Sequence, residues 1–182
     1  MTTATLSDVQ IADGTWTVDP LHSNANFEVD HAGVSVFRGA FKPVDAKLTV
    51  AGDEISLEGG VAVESITIDD ENLRPHLLSP DFFDAERNPQ VRFRSTEISG
   101  DADKVRVQGE LEMAGVALPV EATGRLRGPI ALPGGGEKLA LELETTIDRT
   151  AFGMVWQMEL PDGGDALAND VHLLVTLEFD RS

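Results

Sequence analysis

The chain has 182 residues, 41% hydrophobic and 25% charged, a composition that fits one globular domain. Thirty-two acids against fourteen bases leave a formal charge of −18, which repels phosphates and anionic headgroups and argues against a duplex nucleic-acid binder or a polybasic membrane-docking protein. Cysteine is absent, so disulfides, thiol nucleophiles and thiolate zinc sites are excluded.

Residues 1–14 are small and polar and read as a mobile tail ahead of a domain spanning 15–182. They contain no Lys or Arg and no apolar run, so no signal peptide is expected. No stretch approaches the roughly 18 apolar residues of a membrane span. The reading is a cytoplasmic protein without stable membrane insertion. Asp19, His22 and Ser23 contain the residue types of a nucleophilic triad, but working triads assemble from distant segments, and no Gly-x-Ser-x-Gly elbow exists. They read instead as a turn at Asp19-Pro20, with His22 and Ser23 bonding backbone at a strand start.

From Thr15 onward the dominant signal is period-two alternation. Eight segments carry it: 25–29, 44–50, 55–63, 91–93, 105–113, 116–126, 139–147 and 171–179. Turn chemistry separates several of them, at 51–53, 99–101, 114–115 and 133–136. Short turns imply antiparallel neighbours, and one apolar face per strand suits a barrel or a sandwich. Two strands change phase midway. Phe37, Gly39 and Phe41 share one parity, and Val44 onward uses the other; Val61 and Val63 give way to Ile66 and Ile68. Such a slip is what a β-bulge produces, and bent strands favour a barrel.

Gly59, Gly109 and Gly124 lie on the inward parity, so the backbone kinks there or the interior holds space for a ligand. Residues 69–88 break the β pattern. Asp70, Glu71 and Asn72 are cap candidates, Leu73, Leu77 and Leu78 follow at helical spacing, and Pro80 ends the first of one or two helical turns. Phe82 and Phe83 sit in this insertion, and Phe152, Met154, Trp156, Met158 and Leu160 occupy alternate positions further on. They form either a core strand and a plug at one barrel end, or a flexible apolar wall around a long-chain ligand. With the inward Phe27, Val29, Phe41, Phe93, Gly109 and Met113, these rings and methionines, Leu160 aside, are the candidate cavity lining. Arg38, Arg74 and Arg149 each sit beside an aromatic or a special turn. They and His31 are the candidates to hold a polar headgroup at the mouth, against the plain reading of ion pairs with the abundant acids. The four histidines form no ligand cluster in sequence, and no metal or cofactor is expected.

Taken together the motifs resemble the YceI family. The resemblance rests on 16–23 (WTVDPLHS), 27–31 (FEVDH), 39–41 (GAF), 68–72 (IDDEN), 76–84 (HLLSPDFFD) and 93–96 (FRST). It continues through Asn88-Pro89, 109–111 (GEL), Gly115, Pro119-Val120, 149–153 (RTAFG), Trp156, Gly163-Gly164 and 169–171 (NDV). Each motif is weak alone, but the ordered set is specific. The sequence departs from the family pattern at Asn88, Ala151 and Met154, where relatives often carry Tyr, Asp and Leu. The resemblance implies an all-β, eight-stranded antiparallel lipocalin-like barrel with one short helical insertion. It also implies a non-catalytic role, binding a polyprenyl chain, an isoprenoid quinone or another aliphatic lipid in an elongated cavity. That lipid is then the expected partner, with a homodimer compatible. The alternatives are a lipid-modifying enzyme working in the same cavity through Asp19, His22 and His31, and an interaction module with a packed barrel.

Overall fold

A computed structural model describes residues 6–181. Eleven strands follow one another: β1 (Gly14–Val18), β2 (Asn24–His31), β3 (Ser35–Phe41), β4 (Asp45–Ala51), β5 (Glu54–Ala62), β6 (Ile66–Ile68), β7 (Gln90–Asp101), β8 (Lys104–Met113), β9 (Val116–Ala131), β10 (Glu137–Asp148) and β11 (Leu167–Arg181). Pairing in the order β1-β4-β5-β7-β8-β9-β10-β11, with β11 returning to β1, closes an eight-stranded antiparallel barrel. The remaining strands, β2, β3 and β6, continue β1, β4 and β5 towards the other end. β2 runs on along β11 and β3 pairs with both β2 and β6.

The two phase slips in the sequence mark the bends that divide these long strands. Residues 42–44, with Pro43, separate β3 from β4, and the 3₁₀ turn Val63–Ser65 separates β5 from β6. The third bend, between β1 and β2, falls at Asp19-Pro20. Ala114 and Gly115 both take positive φ, the requirement of the two-residue hairpin turn between β8 and β9. The expected turn at 99–101 lies two residues later, at 102–103, where the Asp101 carboxylate accepts the backbone N–H groups of Asp103 and Lys104. A bulge between Ser95 and Glu97 restores Ile98 to the interior.

One end of the barrel is packed solid. Trp16, Leu48, Ile98, Val105, Val107, Leu139, Leu141 and Phe179 are each at most 2% exposed, and each such burial contributes about 1.5–3 kcal/mol. Residues 6–13, expected as part of a mobile tail, instead lie across this end; residues 1–5 fall outside the described residues. Leu6 is buried and bridges to Gly100, and Asp8 accepts the Ala102 N–H. The Ala12 carbonyl accepts the Trp16 indole N–H, and that of Asp13 accepts two N–H groups of Arg181. The segment docks there because Leu6, Val9, Ile11 and Ala12 pack against the core and its backbone finds these partners.

The acids face outwards. Glu28 pairs with Arg38, Glu58 with Lys47 and Arg94, Glu121 with Arg106, and Glu142 with Arg125 and Arg127. Exposed pairs of this kind contribute only about 0.2–1 kcal/mol each. Their larger effect is to keep the outer parity wet and the alternation in register.

Candidate functional site

Towards the end made by β2, β3 and β6 the interior is no longer filled. Phe27, Phe37, Phe93, Val120, Ala122, Leu173 and Val175 point inwards on their strands yet are only half-buried, in contrast to the closed end. Two adjoining chambers result. The outer one, about 200 Å³, is walled by β2, β3, the insertion and the 154–167 segment; the inner one, about 140 Å³, lies deeper, among β4, β5, β7, β9, β10 and β11. Leu173 belongs to both walls. Together they reach the lower end of ligand pockets, about 300 Å³.

The insertion forms the outer wall as its spacing predicts. Helix α1 (Arg74–Leu78) turns Leu73 and Leu77 into the chamber, and Ser79 and Pro80 end it. The acids before it do not cap the helix: Asp70 makes a local turn by accepting the Asn72 N–H, and Leu73 occupies the cap position. The chain then folds back, so that Phe82 and Phe83 are buried against the barrel, Phe83 edge-on to Phe41. His76 packs edge-on against both Phe82 and Trp156, and its Nε2 lies 3.0 Å from an Asp81 carboxylate oxygen.

Of the residues expected to line a cavity, Phe27, Val29, Phe41, Phe82, Phe83, Met113, Met154, Trp156 and Met158 border the outer chamber, and Phe93 borders the inner one. Gly109 borders neither. A side chain at Gly109 would run into the Phe93 ring and the Arg94 carbonyl, so this glycine is a point of close approach rather than open space. Phe27 covers Gly39 in the same way. Phe152 is also outside the lining. It closes the 3₁₀ turn Arg149–Phe152 and is buried in the core beside the chamber. The segment after it is no strand, because among the described residues it makes no ladder beyond the single bridge Glu159–Asp165.

The headgroup candidates separate. His31 borders the outer chamber at its exposed rim. Arg38 points outwards and pairs with Glu28 at 2.8 Å, and Arg74 reaches back to the Glu64 carbonyl; neither borders a chamber. Arg149 is on the wall and only 3% exposed, but its hydrogen-bonding capacity is exhausted. Nε donates to the Ala168 carbonyl, Nη1 to those of Met154 and Trp156, and Nη2 to the Leu167 carbonyl and Asn169 Oδ1. All five N–H groups are then used. No carboxylate pairs with it among the described residues, so the ion-pair reading fails as well as the headgroup reading. Burial pulls the guanidinium below its usual pKa, yet such a group stays charged at neutral pH. Arg149 is a clip that holds the 154–156 wall against β11.

Phe37, Leu73, Leu77, Ile147 and Leu173 line the outer chamber without having been singled out. Their parity or helical spacing carried the signal. His76 had none, since nothing in its neighbours shows that two rings will meet it.

Asp19, His22 and Ser23 lie away from both chambers. Buried Ser23 accepts the Glu178 N–H, as expected for a strand start, whereas His22 bonds the Asp19 side chain rather than backbone. The imidazole and the Leu21 N–H hold the Asp19 carboxyl down at about 2, and the same contact raises the His22 pKa. Asp19, His22 and Glu178 could converge on a cation, but the Lys138 ammonium lies within salt-bridge distance of Asp19, Glu178 and Asp180. That donor set is already served by a resident positive charge.

The fold and site define a class: a lipocalin-like β-barrel with one packed end and an apolar, two-chambered interior. The chain belongs to the YceI-like domain family, whose sequence profile matches residues 16–179. Protein YceI of Escherichia coli O157:H7 is 29% identical over 164 residues, covering 86% of this chain and 81% of that protein. Among solved structures, Burkholderia cenocepacia BcnA superposes with a TM-score of 0.70 at 23% identity, over 88% of this chain and 98% of that one. A polyisoprenoid binding domain from Saccharophagus degradans, implicated in plant cell wall breakdown, gives 0.68 at 11% identity, over 92% and 98% of the two chains.

Proposed function

We propose that the protein binds a long aliphatic lipid, foremost an isoprenoid chain, inside the barrel and carries it without changing it chemically. The observation that carries this reading is the contrast along one axis. Inward side chains are almost fully buried at the closed end and half-buried around two apolar chambers at the other. Each methylene moved from water into such a wall contributes about 0.8 kcal/mol, so a chain can bind tightly with few polar contacts. The structural likeness to a domain described as polyisoprenoid binding supports the same ligand class. His31 and His76 are the polar side chains left to meet a headgroup, since Arg149 is fully engaged. The test is direct, because the two tryptophans lie at opposite ends. Trp16 is fully buried at the closed end and Trp156 borders the outer chamber. Titration with an isoprenoid alcohol should change the emission of Trp156, and Trp156→Phe should abolish that change. An unchanged spectrum at saturating alcohol would count against the reading.

A further inference from the structure

The barrel wall forks on one side. The β9–β10 ladder runs from the pair Ala131–Glu137 to the pair Thr123–Glu144 and stops there. Both strands continue. Residues 116–122 of β9 stay paired to β8, and residues 145–148 of β10 stay paired to β11, but not to each other. One side-chain bond crosses the opening, from Thr145 Oγ1 to the Glu121 carbonyl at 2.7 Å. Just before the fork the strands are pressed together at Gly124, where any side chain would collide with the Glu142 carbonyl. Beyond it, the 3₁₀ turn Arg149–Phe152 packs beside β9 and bounds the gap on the far side. The residues that flank the gap, Val120 and Ala122 on β9 with Leu143, Glu144 and Thr145 on β10, are also wall of the inner chamber. The deep end of the cavity therefore reaches the side of the barrel.

Volume gives this gap a use. A dry cavity of roughly 150 Å³ admits one benzene, so chambers of about 200 and 140 Å³ hold roughly a dozen carbon atoms. A polyprenyl chain is several times longer. Resting on the isoprenoid reading above, the geometry points to the β9–β10 fork as a lateral portal through which the tail of a long isoprenoid leaves the barrel while its head end stays in the outer chamber. Val120, Ala122 and Leu143 give the passage an apolar lining, and Thr145 is the polar latch across it. A chain threaded this way is read by its first dozen carbons and not by its total length.

The absence of cysteine makes the test clean. The double variant Glu121→Cys/Thr146→Cys places thiols on the outward parity at the rungs just past the last pair, where oxidation staples the fork. Geraniol, short enough for the chambers, and solanesol, far too long, are then compared by native mass spectrometry on reduced and oxidised protein. Geraniol uptake is expected to stay the same, and solanesol uptake to fall at least about tenfold on oxidation and to return on reduction. Equal solanesol uptake by the two forms would overturn the portal alone. Uptake of neither alcohol by the unmodified chain would overturn the isoprenoid reading, and the portal with it. A second variant does not depend on the staple forming. Thr145→Cys carries the chain's single thiol at the latch, and solanesol but not geraniol should protect it from a charged maleimide. Labelling unaffected by solanesol would again overturn the portal.

Discussion

Arg149→Lys separates a structural clip from a headgroup-binding arginine. The guanidinium places five donors on four carbonyls and Asn169. An ammonium has three donors, so at least two of these acceptors are left unmet in a buried site. Each costs about 1–3 kcal/mol, and because the two Nη2 bonds are the long ones, at 3.3 and 3.4 Å, the lower half of the range applies. The expected loss is about 2–4 kcal/mol, or about 4–16 °C in Tm for a chain of this size. Thermal unfolding followed by circular dichroism measures it, and titration with an isoprenoid alcohol below the transition measures what remains of binding. The clip predicts a large stability loss, with affinity weakened only as the 154–156 wall loosens. An arginine that held a headgroup would behave in reverse. Wild-type Tm with binding abolished in Arg149→Lys would refute the assignment.

Three further outcomes follow from particular contacts. Gly109→Ala should lower stability by about 1–3 kcal/mol through overpacking against Phe93 and the Arg94 carbonyl, with uptake per folded molecule unchanged; unchanged Tm with lost uptake would place Gly109 on the cavity after all. Leu173→Trp, at the junction of the chambers, should exclude a chain from the inner one; losing as few as two buried methylenes, about 1.6 kcal/mol, already weakens binding more than tenfold, so equal affinity by titration would disprove continuity of the chambers. The Asp19–His22 contact should show in the pH dependence of Tm. His22 has a raised pKa, so its contribution is complete below pH 6.5 and is lost as pH rises through the raised value. Asp19 has a lowered one, so its contribution is present above pH 3.8 and is lost as pH falls towards 2. The Tm difference between wild type and His22→Gln should be widest between those limits and shrink on the alkaline side; a difference independent of pH would contradict the pairing.

How far the molecule could be read from its sequence depended on whether the signal was local. Alternation exposed β2, β4, β5 and β7 to β11 but not the short barrel strand β1, and the slips at Pro43 and after Val63 exposed two of the three bends, because a bend shows as a change of parity along one strand. The bulge at Ser95–Glu97 did not register, since too few apolar residues follow it in β7 to show the new phase. Phe27 and Met113 were legible as lining because parity alone puts them inside. Gly109 shares that parity and was misplaced, because what lies across from it, the Phe93 ring, belongs to the neighbouring strand. Arg149 was illegible for the same reason: its five acceptors come from residues 154–156 and 167–169, joined to it only by the return of the chain. The β9–β10 fork left no trace at all. Both strands keep their alternation through it, as each still has its other neighbour.

On the function proposed above, the barrel interior holds an aliphatic chain. Native mass spectrometry of the purified, folded protein incubated with solanesol tests it most directly. One solanesol per barrel is expected, displaced by a second isoprenoid and bound more than tenfold more weakly by the Leu173→Trp variant. A folded barrel that carries no lipid and takes up none would contradict it.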